Sequence, residues 1–210
     1  MYTMLKNELK ALFSFIHRNW NEVAVISLST LFFMLAKYNP IGNYWQTGAI
    51  YYGLCPLLSI LIVLRRNPLN FGLKLGKIKI WGFHLLIALP VIFLLVWWGT
   101  STKSVERYYS SGNFDIGSLL LSGIVILVPW EFIFRGFMLF GLKDKLKEYA
   151  ILVQMIPFAL LHINKPEAET ISCIFSGIYF GYVCYRTESY WPSVIIHYFI
   201  WITTKLLVIY

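Results

Sequence analysis

The sequence predicts an all-α fold: a polytopic membrane helix bundle of about seven transmembrane helices, preceded by an amphipathic helix at the membrane interface. Three observations predict it. Of the 210 residues, 58% are hydrophobic and only 13% charged, against about 45–50% and about 25% in soluble domains. The mean hydropathy is +0.65, so a water-soluble fold of this size lacks the polar side chains to cover its surface. The apolar residues run in segments near the ~20 residues that cross a bilayer.

The elements follow in order. Residues 1–19 mix Leu5, Leu9, Leu12, Phe13 and Ile16 with Lys6, Glu8, Lys10 and Arg18 at helical spacing, the pattern of a helix lying in the interface. Its charges interrupt any continuous apolar core, so it is a poor signal peptide. Apolar segments then fall at roughly 21–38, 48–64, 80–100, 116–142, 149–163, 170–186 and 190–209. The fourth is long and the fifth short. Between the second and third, the basic stretch RRNPLNFGLKLGKIK is punctuated as turns by Asn67-Pro68, Gly72 and Gly76. The third carries a lone histidine, His84, which reads as an ordinary packed or interfacial residue. In the sixth, the spacing Gly177-xxx-Gly181 permits close helix approach in lipid. Trp97, Trp98, Tyr190 and Trp191 stand at segment ends, as interfacial belt residues do. Nothing resembles a linker, so residues 1–210 read as a single membrane domain.

Charge sets the expected orientation. With the N-terminus inside, 12 of the 18 Lys and Arg fall in inner segments and 5 in outer ones, with Arg135 inside a span. That excess predicts a cytoplasmic N-terminus and, in a prokaryotic cell, residence in the plasma membrane. The net charge of +8 is scattered through short loops, which excludes a nucleic-acid patch. Cys55, Cys173 and Cys184 sit in apolar stretches with no CxxC or Cys/His pairing, which argues against a disulfide framework or a thiolate metal site.

Ionisable residues inside a span cost about 2.5–3.5 kcal/mol on insertion scales and mark function by default. Here they are Glu131 and Arg135 in the fourth segment, His162 at the end of the fifth, Glu169 at the start of the sixth and His197 in the seventh. Glu131 and Arg135 are four apart and share a helix face, where they can pair. Taking straight helices at ~1.5 Å per residue from their cytoplasmic ends, Glu131 lies at about 16 Å, His162 at about 20 Å and His197 at about 12 Å. Three groups from three helices thus fall near the midplane. Glu169, at about 25 Å, would have to reach inward from the outer end.

A carboxylate and two imidazoles in a water-filled membrane cavity form an acid/base site. The carboxylate can take a proton from water, one histidine can hold that water or protonate the leaving amine, and the other can donate to an oxyanion. The same side chains can also hold zinc, although no HExxH is present and no metal is required by the pattern.

The motifs carry a family resemblance. PWEFIFRG at 129–136 resembles the first motif, EExxxR followed by Gly, of the CPBP family of CAAX prenyl endopeptidases and bacteriocin-processing (Abi) proteins. FALLH at 158–162 is similar to its FxxxH motif. Gly177 through Thr187, then Tyr190 to His197, looks like its third block, and the NPLNFGLKLG loop is reminiscent of the family. The resemblance covers about residues 65–201, with a catalytic core at 116–201. It implies an intramembrane peptidase acting on a membrane-associated peptide or protein, with Glu131, His162 and His197 as catalytic residues and Arg135 as a structural, electrostatic partner.

Two departures stand out. Trp130 occupies the place of the family's first Glu, and Trp201 the place of the Asn or Asp one turn after the last His. The water activator and oxyanion donor assigned to those positions therefore fall away. KPEAE at 165–169 is associated with a variant WExxxR branch, and through it Glu169 becomes a candidate second catalytic carboxylate. The alternative is that Glu167 and Glu169 are solvated first-turn residues favoured by the helix N-terminus.

Three functions compete at this point: an intramembrane endopeptidase working without a covalent intermediate, a non-catalytic membrane scaffold or immunity protein of the same fold that binds a peptide or partner, and a small proton-coupled transporter. No inverted repeat supports the last. The GxSG and GxGD strings of serine and aspartyl intramembrane peptidases are absent.

Overall fold

The computed structural model describes residues 1–110 and 115–209, and among these every regular element is helical. Helix α1, Tyr2–Arg18, has no buried residue and meets α2, Trp20–Tyr38, at an 87° bend. Asn19 sits at the corner, where its side-chain amide donates to the Phe15 carbonyl at 2.9 Å. Leu5, Leu9, Leu12 and Phe13 are exposed, an apolar stripe that fits a helix resting on a bilayer surface.

Helix α3, Tyr44–Val63, opens with a capping box in which Asn43 accepts from the Gln46 amide and Gln46 accepts from the Asn43 amide, both at 3.0 Å. Its segments Ala49–Leu54 and Ser59–Val63 are π-helical. The basic loop that follows turns through a 3-10 stretch, Pro68–Phe71, capped by Asn67, and through Gly72 and Gly76, both at positive φ. It is stitched to the turn at 188–190. The Lys77 amide donates to Thr187 at 2.8 Å and the Tyr190 amide to Gly72 at 3.0 Å, and the Trp191 indole donates to Leu73 at 3.0 Å. Lys77 and Glu188 add an ion pair at 2.6 Å, and hydrogen bonding from Lys77 holds the Glu188 carboxyl below its usual range.

Helix α4, Ile78–Thr100, buries only Ala88. Phe83, Leu86, Leu94, Trp97 and Trp98 face outward, which only a lipid solvent makes sensible. A short connector, α5 (Lys103–Tyr109), leads toward α6, Ile116–Leu146, whose N-terminus is capped by Asp115. Residues 131–142 of α6 are buried without interruption, so this helix is the axis of the bundle. Around it stand α7 (Tyr149–Leu160), α8 (Glu167–Thr187) and α9 (Trp191–Ile209). The glycines of α8 do what their spacing predicts. Gly177 lies against Met155 and Phe158 of α7, and Gly181 against Ile151 and Gln154, with no room for a Cβ.

The chain is an integral membrane helix bundle. Helices α3, α4, α6 and α9 are long and apolar enough to cross, and the bent pair α1–α2 makes a fifth if taken as one span. Each of the seven apolar segments coincides with a helix, but α7 has only 12 residues. Helix α8 is long enough yet carries too many polar residues to qualify on composition.

Candidate active site

The site is assembled at the centre of α6. Pro129 contributes no backbone donor to the helix, and the residues after Glu131, Phe132–Met138, are π-helical. A widened turn of this kind is common at functional sites. Glu131 and Arg135 are both fully buried, and the Arg135 Nη1 donates to Glu131 Oε1 at 3.1 Å. The guanidinium is fenced by aromatic rings, 3.9 Å from the Phe158 centroid, 5.2 Å from Phe180 and 5.6 Å from Phe134.

Helix α9 brings His197 to the same carboxylate oxygen, with Nδ1 2.6 Å from Glu131 Oε1. A carboxylate only accepts, so Nδ1 carries the hydrogen and Nε2 is left as the basic nitrogen. His162, in the turn after α7, is buried and donates from Nδ1 to the Phe158 carbonyl at 2.7 Å, which frees its Nε2 in the same way. Its backbone carbonyl accepts from the Lys165 amide at 3.1 Å and from the Thr170 hydroxyl at 2.8 Å. The two imidazole centroids are 6.3 Å apart, with Phe158 packed against both rings.

Four buried polar atoms here have no hydrogen-bond partner among the described residues: Glu131 Oε2, Arg135 Nε and Nη2, and Trp130 Nε1. An orphaned buried group costs about 1–3 kcal/mol, and native folds keep such groups few. Their concentration at one place sets this centre apart from the apolar interior around it.

Glu169 lies in a different cluster. The Tyr109 hydroxyl approaches both of its carboxylate oxygens, at 2.7 and 2.9 Å, and Lys165 bonds it at 2.7 Å. Burial alone would lower the Lys165 pKa, but Tyr109 and Glu169 outweigh it and hold the ammonium above the usual lysine range. Among the described contacts none joins the Glu169 carboxylate to Glu131, His162 or His197; the link is the neighbouring Thr170, which bonds the His162 carbonyl. Trp201 stands apart as well, lying with Tyr198 against Gly123, about two turns of α6 before Glu131. His84 contacts Tyr179 and Tyr182, its Nδ1 3.3 Å from the Tyr179 hydroxyl.

The structure thus joins Arg135, Glu131 and His197 in one hydrogen-bonded chain with His162 beside it, and leaves Glu169 outside. Among the described residues no group of three or more His, Cys, Asp or Glu side chains is arranged to hold a metal ion. The donors here do not fit a zinc site, which takes three or four ligands. Sequence reasoning missed Phe158 and Thr170 as supports of His162, and Tyr109 as the partner of Glu169. Phe158 had a signal, four residues before His162 in one motif; Tyr109 had none.

The fold and this centre define a membrane-embedded helix bundle with a buried Glu/His/Arg site. Residues 112–202 match the family model of the type II CAAX prenyl endopeptidase Rce1-like proteins, so the CAAX-family resemblance holds over the segment that contains all three motifs. No curated protein and no solved structure matches the chain.

Proposed function

We propose that this chain is an intramembrane endopeptidase that hydrolyses a peptide bond of a membrane-associated protein or peptide. The observation that carries this reading is the Glu131–His197 contact of 2.6 Å beside His162, in the interior of a long span. His197, its Nδ1–H held by Glu131, takes a proton from water through Nε2 as the water oxygen adds to the carbonyl carbon. The imidazolium so formed is stabilised by the Glu131 carboxylate, which Arg135 also bonds. When the C–N bond breaks, His197 returns the proton to the leaving amine. His162, fixed by its backbone bonds, offers Nε2 to orient the water. Glu131 Oε2 is the remaining acceptor for the second hydrogen of that water. Glu169 stands in this proposal as the second carboxylate: to act on water it exchanges the Tyr109 hydroxyl for that water. The family match supports the peptidase class, and the charge distribution supports seven spans with a cytoplasmic N-terminus, in the plasma membrane of a prokaryotic cell.

The second reading, a non-catalytic scaffold or immunity protein, rests on Trp130 standing where the family has its first Glu. Cleavage of membrane-associated peptides by purified protein in proteoliposomes decides between them. The unmutated protein is expected to cleave, and His197→Gln and His162→Gln to lose at least about 10²-fold in rate. A well-folded unmutated protein that cleaves none of these peptides would favour the scaffold.

A further inference from the structure

Trp130 is the residue in this site that the peptidase reading leaves idle. Its indole N–H can only donate, is enclosed by protein, and has no acceptor among the described residues. The ring sits beside the imidazole of His162, centroids 5.8 Å apart at 84°, and immediately precedes Glu131 in α6. With Tyr44, Gly48 and Tyr52 it also lines a narrow cleft of about 10 Å³ between α3 and α6.

The other donors around the centre are spent or fenced. His162 Nδ1 is used by the Phe158 carbonyl, His197 Nδ1 by Glu131, and the Ser193 hydroxyl by the Tyr190 carbonyl at 2.7 Å. The unpaired nitrogens of Arg135 lie on a guanidinium hemmed in by Phe134, Phe158 and Phe180. Trp201 is packed against Gly123. A tetrahedral intermediate needs a donor aimed at its oxygen, and the Trp130 N–H is an unspent donor on a ring packed beside His162.

We propose that the Trp130 indole N–H binds the scissile carbonyl oxygen and the oxyanion that forms from it, which makes Trp130 a catalytic residue; this rests on the peptidase reading above. As water adds to the carbonyl carbon, the π electrons of the C=O move onto oxygen, and the N–H···O bond strengthens with the growing charge. No proton leaves the indole. When the C–N bond breaks, the carbonyl re-forms and the bond weakens again. Tryptophan at this position then supplies a function that the displaced Asn position, now Trp201, does not.

Trp130→Phe keeps an aromatic ring and removes only the donor. In single-turnover cleavage in proteoliposomes it is expected to lower the rate about 10²-fold with KM changed less than about threefold, because the bond strengthens in the transition state. Trp201→Phe serves as the control and stays within about twofold. A second measurement reads the bond without turnover. In protein labelled with ¹⁵N-tryptophan, the indole resonance that disappears in the Phe variant (or in Trp130→His, should the Phe variant not fold) is followed as a peptide phosphinate, a tetrahedral analogue, is added. A downfield shift of that resonance is expected. Cleavage by the Phe variant within threefold of the unmutated rate, or an indole resonance that the phosphinate does not move, overturns the proposal. An unmutated protein that cleaves nothing but whose indole shifts on phosphinate sinks the peptidase reading while the donor assignment survives.

Discussion

The guanidinium carbon of Arg135 lies 3.9 Å from the ring centroid of Phe158, and the backbone carbonyl of the same Phe158 takes the His162 Nδ1 hydrogen. One residue therefore supports the buried cation with its face and fixes the tautomer of an imidazole with its main chain. Phe158→Leu retains apolar volume but removes the π face, and should cost about 2 kcal/mol from the lost cation–π contact and lower the melting temperature in detergent. Phe158→Ala adds a cavity and should cost about 3–5 kcal/mol. A Leu variant that melts with the unmutated protein would show that the ring face contributes nothing.

Glu131 and His197 separate stability from chemistry. Glu131→Gln removes one half of a fully buried ion pair and should destabilise by about 3–5 kcal/mol, because the Arg135 charge is left uncompensated. His197→Gln leaves that pair intact and is expected to fold normally while losing activity. Melting curves and cleavage rates on the two variants check this together. Equal stability of both would mean the Arg135 charge is balanced by something other than Glu131.

For Glu169 the decisive comparison is with its partner. If Glu169 acts on water after releasing Tyr109, Glu169→Gln abolishes cleavage, while Tyr109→Phe, which removes only the competing hydroxyl, retains it within a few-fold. Glu167→Gln should have little effect. The Lys165–Glu169 pair is partly exposed, at 30% and 25% of its side-chain surfaces, so its loss should cost no more than about 1 kcal/mol. Parallel loss in the Gln and Phe variants would instead make Glu169 a brace for the loop that carries His162.

Two glycines in and beside the basic loop should respond oppositely to alanine. Gly76 has φ of +62° and faces the Thr187 carbonyl where a Cβ would go. Gly76→Ala should therefore cost at least about 1–2 kcal/mol from the left-handed backbone alone and loosen the loop from the C-terminal end of α8. Gly82, inside α4, has open space around it, and Gly82→Ala should gain about 0.5–1 kcal/mol through helix propensity. Thermal unfolding of the pair tests both signs.

The residues that could be read from sequence are those whose chemistry is conspicuous against an apolar run. Glu131 and Arg135 announced themselves by helical spacing, and His162 and His197 by depth. The same depth arithmetic set Glu169 farther out, and its carboxylate is engaged by a different set of partners. What sequence did not reveal depends on contacts between distant segments. Tyr109 comes from a seven-residue connector, too short for a periodic signal, some 60 residues before Glu169. The choice of His197 over His162 as the partner of Glu131 is set by how α9 rotates against α6, and no composition encodes a rotation. The π-helical turn after Glu131 likewise leaves no mark in the residue types.

Helix α7 stops early. Its 12 residues rise only about 18 Å, well short of a hydrocarbon layer about 30 Å thick. Near its start, Tyr185 in the last turn of the antiparallel α8 bonds Glu148 at 3.2 Å, so the start of α7 is level with the end of α8, and the 21-residue α8 extends beyond the point where α7 stops. From Leu161 to Lys165 the chain leaves α7 through tight turns, the amides of Leu161, His162, Ile163 and Lys165 bonding the carbonyls of Pro157, Ala159, Leu160 and His162, and not through a further length of α-helix. Irregular backbone at that depth is tolerated only inside protein or against water, and Ile163 and Asn164 are exposed. In the seven-span arrangement proposed above, the bilayer is therefore expected to dimple, or to admit a wedge of solvent, along this one side of the bundle. His162 lies in the turn where α7 stops, so in the peptidase reading proposed above the truncated helix is where the site is expected to draw its water.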